Sequence, residues 1–245
     1  MSSKPKTVPP SDNTTVSCYD RHSTLYDCYQ YEVVPRYGAA LDAVAAAVSE
    51  RVYDGAQVLD LGCGTGNACC HILMENPSVH CFLLDGSRSS IEIASRKIAG
   101  RNGPPLAGYR IADLAGTGWD NGLGAGTFDA VVSTFVLEHL PFSAYKRIVA
   151  KCFSLLKPGG WLLAVEAHDE GDLIARFEGQ MLAKERGLQN RELAEFVSLL
   201  RTRDEKHFFT TKQRKQAWWR DAGFSAVTVT WQYLCIALMA GRRPS

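Results

Sequence analysis

Apolar residues along the chain fall into two alternating rhythms. Val58–Leu61 (VLDL), Val79–Leu84 (VHCFLL), Gly108–Ala112, Phe128–Ser133 (FDAVVS) and Trp161–Glu166 are short runs of the kind that buried strands require. Between them, Asn67–Met74, a segment starting near Ser89, and Phe142–Leu156 space their apolar residues as helices do, while KPGG at Lys157–Gly160 reads as a turn. Such alternation predicts a parallel sheet with helices on its faces. Two helices, over Tyr19–Gln30 and Val33–Val52, precede the first strand. Thr211–Ala222 predicts a last helix stopped by Gly223, and SAVTVTW with LCIALMAG supplies two closing strands, seven in all. Residues 169–211 are helical and charged, and break the rhythm as an inserted cover would.

Composition narrows this reading. The 245 residues, 46 % hydrophobic and 22 % charged, suit one α/β domain with an insertion, expected over 18–245 behind a polar, flexible leader at 1–17. A formal net charge of +1 disfavours bulk nucleic-acid binding, and no apolar run reaches membrane-spanning length. Eight cysteines without a CxxC pair fit reduced thiols in a cytoplasmic protein. Neighbouring Cys69, Cys70 and His71 do not share a helix face, so no metal site is expected.

In a sheet of this kind ligands sit beyond the carboxyl ends of the strands. There the chain reads VLDLGCGTG (58–66), with glycines that leave a turn and a ligand unobstructed. The spacing is G-x-G-x-G and not the G-x-G-x-x-G of a dinucleotide fold, and Asp60 just before it would repel phosphate and attract an ammonium.

This stretch, together with LDG (84–86), AD (112–113), STFVLEHL (133–140) and LKPGG (156–160), resembles the class I S-adenosylmethionine-dependent methyltransferases, over roughly Tyr19–Gly241. The resemblance implies a Rossmann-like, seven-stranded, mostly parallel sheet with N-terminal helices and a helical cover. It implies S-adenosylmethionine as cofactor, with the backbone of Gly62, Cys63 and Gly64 under its methionine and ribose parts and Asp60 near its ammonium. Asp85, followed by Gly86, would accept from the ribose hydroxyls, and Asp113 from the adenine amino group, with Leu114 against the ring. Thr134 would face the methionine moiety, and Tyr26 and Tyr37 would close over it.

Methyl transfer needs a base only if the acceptor keeps a proton. His139 and Glu166, at the right sheet edge, are the candidate catalytic residues. Tyr29, Tyr31, Phe135, His168, Phe177 and Arg201 are the candidate acceptor contacts, with Phe208 and Trp218 as further apolar walls. The expected partner is a small-molecule acceptor, with no membrane and a homodimer left open. The charged run Arg201–Lys215 interleaves acids and bases, which reads as a solvated helix face before it reads as an RNA patch.

VVPRYGAALDAV (33–44) and DAGFSAVTVTWQYLCIALMAGR (221–242) are similar to the bacterial carboxy-S-adenosylmethionine synthases of tRNA wobble-uridine modification. In that family an arginine of the insertion holds the extra carboxylate, and Arg201 falls near its place. The sequence departs from that family at GCGTG and at Thr134. The expected activity is therefore methyl transfer to a small molecule, with a carboxy-S-adenosylmethionine synthase-like or other tRNA-modification enzyme as the alternative, and a non-catalytic cofactor-binding protein as the third reading.

Overall fold

The five apolar runs pair side by side as parallel strands in the computed structural model, which describes residues 25–101, 104–202 and 207–245. Helix α1 (25–33) and α2 (Tyr37–Ser49) come first, followed by β1 (Gln57–Leu61), α3 (Asn67–Glu75), β2 (His80–Asp85), α4 (Arg88–Ala99) and β3 (Gly108–Ile111). Then follow β4 (Phe128–Thr134), a short 3-10 turn at Leu137–His139, α5 (Phe142–Leu155) and β5 (Leu156–Ala167). The chain continues through α6 (Asp172–Arg186), α7 (Arg191–Thr202), α8 (Lys212–Asp221), β6 (Ser225–Tyr233) and β7 (Ile236–Arg242).

The sheet runs β3-β2-β1-β4-β5-β7-β6, with β7 antiparallel to both neighbours. Strand order reverses between β1 and β4, which places the ligand crevice beyond Leu61 and Thr134. Alternation along each strand sorts the core. Val58, Val132 and Leu163 pack with α2 and α3 on one face, and Leu59, Val131 and Leu162 pack with α5 and α8 on the other.

Two expectations change. The helix read over Val33–Val52 is broken at residues 34–36, because Pro35 lacks an N–H and disfavours helical geometry at Val34; Arg36 then takes a positive φ of 62° before α2 starts at Tyr37. KPGG belongs to β5 and is not a separate turn. Gly159 N–H donates to the Arg243 carbonyl and Gly160 accepts from Arg243 N–H, so the end of the chain holds these residues in the sheet. The leader at 1–17 and the start of the first expected helix lie outside the described residues.

Helices α6 and α7 stand between β5 and α8 and meet α1. Val33, Leu193, Phe196 and Val197 form a small buried cluster, with the Tyr29 ring edge-on to Phe196 at 6.2 Å. Among the described residues no helix is long and apolar enough to cross a membrane.

Candidate functional site

The loop after β1 is stitched to the end of β2. Gly62 and Cys63 N–H both donate to the Leu84 carbonyl, at 2.7 and 3.0 Å. Gly64 N–H donates to Asp85 Oδ2 at 2.8 Å, and Ser87 N–H to Asp85 Oδ1 at 2.8 Å. The three glycines share positive φ but differ in what surrounds them. A Cβ at Gly62 would lie 2.6 Å from the Val136 methyls, and one at Gly66 would lie 2.8 Å from Ala94, whereas one at Gly64 would meet only the Tyr26 ring edge at 3.9 Å. Gly62 and Gly66 are therefore bare for internal packing. Gly64 alone leaves space for a ligand to approach, a narrower role than the sequence suggested.

Asp60 is fully buried, and neither of its oxygens has a hydrogen-bond partner. Burial pushes its carboxyl up to about 7; the Cys69 amide at the start of α3, near it but outside hydrogen-bond geometry, pulls it back in part and Asp85 pushes it further. An orphaned carboxylate beside an open glycine is what an ammonium-bearing ligand would complete. The next two strand ends add acids. Asp113 Oδ1 accepts from Ala115 N–H at 2.9 Å, and a carboxylate accepts about four hydrogen bonds, so the backbone ties on Asp85 and Asp113 are compatible with hydroxyl and amino donors. Gly86 is half-buried beside Asp85, and Leu114 is buried with Leu59 and Leu84. Thr134, half-buried, ends β4 opposite Val165. The buried Cys63 thiol is pushed well up, chiefly by desolvation, and stays neutral. These residues fit S-adenosylmethionine.

Helix α1 is fastened over this edge by Asp27, which the sequence reading missed because no spacing marks it. Asp27 binds the Thr65 hydroxyl, Asn67 Nδ2 at 2.9 Å and the Lys97 ammonium. Tyr26, its neighbour, thereby reaches Gly64. Tyr37 is buried deeper: its hydroxyl accepts from Asn67 Nδ2 at 3.3 Å, its ring lies 5.5 Å from Phe135, and burial pushes its pKa up.

Next to Tyr26 opens a cavity of about 710 Å³ between α1, the β4 edge, α6 and α7. It brings together five of the expected residues, Tyr26, Tyr29, Phe135, Phe177 and His139, with the His139 ring 4.6 Å from that of His207. Glu138, which the sequence reading passed over as the residue before a histidine, also lines it. Glu138 is 3 % exposed, and its Oε2 has no hydrogen-bond partner. Its carboxyl is pushed up to about 7 by burial and then by Glu166, against Lys215 and His207.

Five expected residues lie elsewhere. Tyr31 is 48 % exposed, its hydroxyl 3.1 Å from His71 Nε2 on the outer side of α3. Ala167 lines the cavity, so strand alternation turns Glu166 and His168 to the opposite face, where both are fully buried. Glu166 Oε1 accepts from Tyr145 O–H at 2.9 Å and Oε2 from Lys215 at 2.5 Å, which leaves it no role as a base toward an acceptor. His168 is held down to about 2 by burial and by Lys215 and Lys212. Phe208 and Trp218 pack on Phe142 instead of the cavity. Arg201 lies on the last turn of α7, its side chain outside the described residues.

Residues 59–162 match a family model described as a methyltransferase domain. Over 113 residues the chain is 32 % identical to a ubiquinone biosynthesis O-methyltransferase of Mesorhizobium japonicum, covering 45 % of this chain and 40 % of that protein. It is 26 % identical over 135 residues to a carboxy-S-adenosyl-L-methionine synthase of Shewanella amazonensis, covering 54 % of this chain and 53 % of that protein. The chain thus spans about half the length of these relatives or less. The fold matches magnesium protoporphyrin IX methyltransferase of Synechocystis, solved with bound SAH, at a TM-score of 0.66 and 14 % identity, covering 95 % of this chain and all of that one. With the glycine loop, the acids at successive strand ends and the sheet order in agreement, residues 59–162 match a methyltransferase domain and the fold is that of the class I S-adenosylmethionine-dependent methyltransferases, with S-adenosylmethionine as the cofactor.

Proposed function

We propose that the protein transfers a methyl group from S-adenosylmethionine to a small-molecule acceptor seated in the cavity beside Tyr26. The observation that carries this reading is the cavity itself: about 710 Å³, walled by Tyr29, Phe135, Phe177 and Phe209, and abutting the edge where Gly64 is open. Bound S-adenosylmethionine supplies a methyl group already activated on a positively charged sulfur. The chain's own task is then alignment, worth on the order of 7–11 kcal/mol in well-oriented reactions.

In this reading Gly64 and Asp60 hold the methionine end, with Thr134 beside it. Asp85 takes the ribose hydroxyls, Asp113 the adenine amino group, and Leu114 supports the ring. His139 accepts the acceptor's proton where there is one to lose.

The carboxy-S-adenosylmethionine alternative needs a cation for the added carboxylate. Arg201, the residue that the resemblance offers for it, follows Leu200 of the cavity wall, with its side chain outside the described residues. The test is titration calorimetry with S-adenosylmethionine, followed by transfer of labelled methyl into a small-molecule extract. Binding, with label appearing in a low-mass product and kcat lowered at least tenfold by His139→Ala at unchanged cofactor affinity, supports the reading. No binding, or label confined to RNA or protein, overturns it.

A further inference from the structure

We infer that the acceptor is an amine carried on an apolar or aromatic body, and that Glu138 is the residue that selects its cationic head group. The inference rests on the methyltransferase reading of the cavity and names the acceptor's class.

Glu138 belongs to a buried cluster of charged side chains. Glu166 and Lys215 neutralise each other at 2.5 Å, and Glu138 is coupled electrostatically to both. Lys215 is thus engaged by Glu166, His207 acts on Glu138 only electrostatically, and Glu138 is the acid of this cluster that lines the cavity. Its Oε2 is shut off from solvent and has no hydrogen-bond partner. A buried acceptor atom left in that state is costly, and a turn of the Glu138 side chain toward the cavity would let a ligand donate to it and recover the cost.

The rest of the wall agrees. Glu178 and Glu185 also line the cavity, and a carboxylate or phosphate on the acceptor would meet repulsion from these acids. The rings of Tyr29, Phe135 and Phe177 offer apolar surface and π faces that tolerate a cation. An amine must also share the site with the sulfonium of the cofactor, and an ionised Glu138 offsets the repulsion between the two positive charges.

Phenethylamine, 2-phenylethanol and 3-phenylpropionate share a ring and a two-carbon arm and differ in the head group. Their binding to the protein saturated with S-adenosylhomocysteine, measured by calorimetry at pH 7.5, tests the inference. Phenethylamine is expected to bind at least tenfold tighter than the alcohol, with the carboxylate weakest, and Glu138→Gln is expected to bring amine and alcohol within about twofold. A carboxylate that binds as well as the amine, an unchanged ratio in Glu138→Gln, or no binding of any probe at millimolar concentration overturns it. The wild-type ranking stands even if the variant does not fold. Failure of the protein to bind S-adenosylhomocysteine at the outset would instead count against the methyltransferase reading.

Discussion

Lys215 Nζ lies 2.5 Å from Glu166 Oε2, and both side chains are sealed from solvent between β5 and α8. The pair continues outward as a chain of donors: Tyr145 O–H donates to Glu166 Oε1 and Trp219 Nε1–H to the Tyr145 hydroxyl, each at 2.9 Å. Lys215 also donates to the Ala167 carbonyl at 3.3 Å, at the point where β5 ends beside the cavity. A residue that the sequence offers as a general base is in this way the centre of the joint that fixes the last helix to the sheet.

Breaking one side of this joint is expected to cost more than removing it whole. Lys215→Met leaves the Glu166 carboxylate buried and uncompensated, a loss of about 3–5 kcal/mol. Adding Glu166→Gln keeps an acceptor for Tyr145 and removes the stranded charge, so the double variant should recover at least half of that loss. Urea denaturation of the two variants checks the order. A double variant no more stable than Lys215→Met would show that the ion pair is not what holds α8.

The glycines of the loop after β1 should separate folding from binding. Gly62→Ala combines a left-handed φ of 72° with a 2.6 Å approach to Val136, so about 2–4 kcal/mol of stability should be lost through strain and overpacking. Gly64→Ala has φ 50° but open space, so only the backbone cost of about 1–2 kcal/mol applies to folding. Its effect should fall on the cofactor, with S-adenosylhomocysteine affinity reduced at least tenfold. Thermal melts and calorimetry on the pair decide this; equal affinity in Gly64→Ala and wild type would remove that position from the binding surface.

How far these features were legible in the sequence depends on whether a local rule governs them. The strands around VLDL and FDAVVS and the acids at 60, 85 and 113 follow from periodicity and motif, because a strand end fixes where the next side chain goes. The break at Pro35 was equally local, yet the alanine-rich helical pattern on either side masked it. Glu166 and His168 were misplaced because which face of β5 meets the cavity is set by the register with β7 and by α8, elements 49 or more residues away from Glu166 in the case of Lys215. Asp27 and Glu138 carry no motif of their own. Their roles arise only when α1 lies over the glycine loop and when Glu166, Lys215 and the cavity enclose one carboxyl.

Asp60 makes the sharpest prediction, because its burial has a sign in pH. Its carboxyl stands at about 7 in the folded chain against an ordinary 3.8, so between those values the folded protein keeps a proton that the unfolded chain has released. The stability tied to Asp60 is full below pH 4 and is lost as pH rises toward 7, at about 1.4 kcal/mol per pKa unit. Glu138 acts in the same direction from 4.5 to about 7, whereas His168, held down from 6.5 to about 2, costs stability as pH falls below 6.5. Both contributions cancel when wild type is compared with Asp60→Asn. The ligand-free variant should therefore gain on wild type by a few kcal/mol between pH 4 and pH 7.5. Cofactor binding should move the other way: an ammonium at this site needs the ionised carboxylate, so wild-type affinity for S-adenosylmethionine should climb through pH 7, while the variant binds weakly at every pH. Parallel stability curves for the two proteins, or an unchanged climb in Asp60→Asn, would sink this account of why an acid without a partner stands inside the first strand.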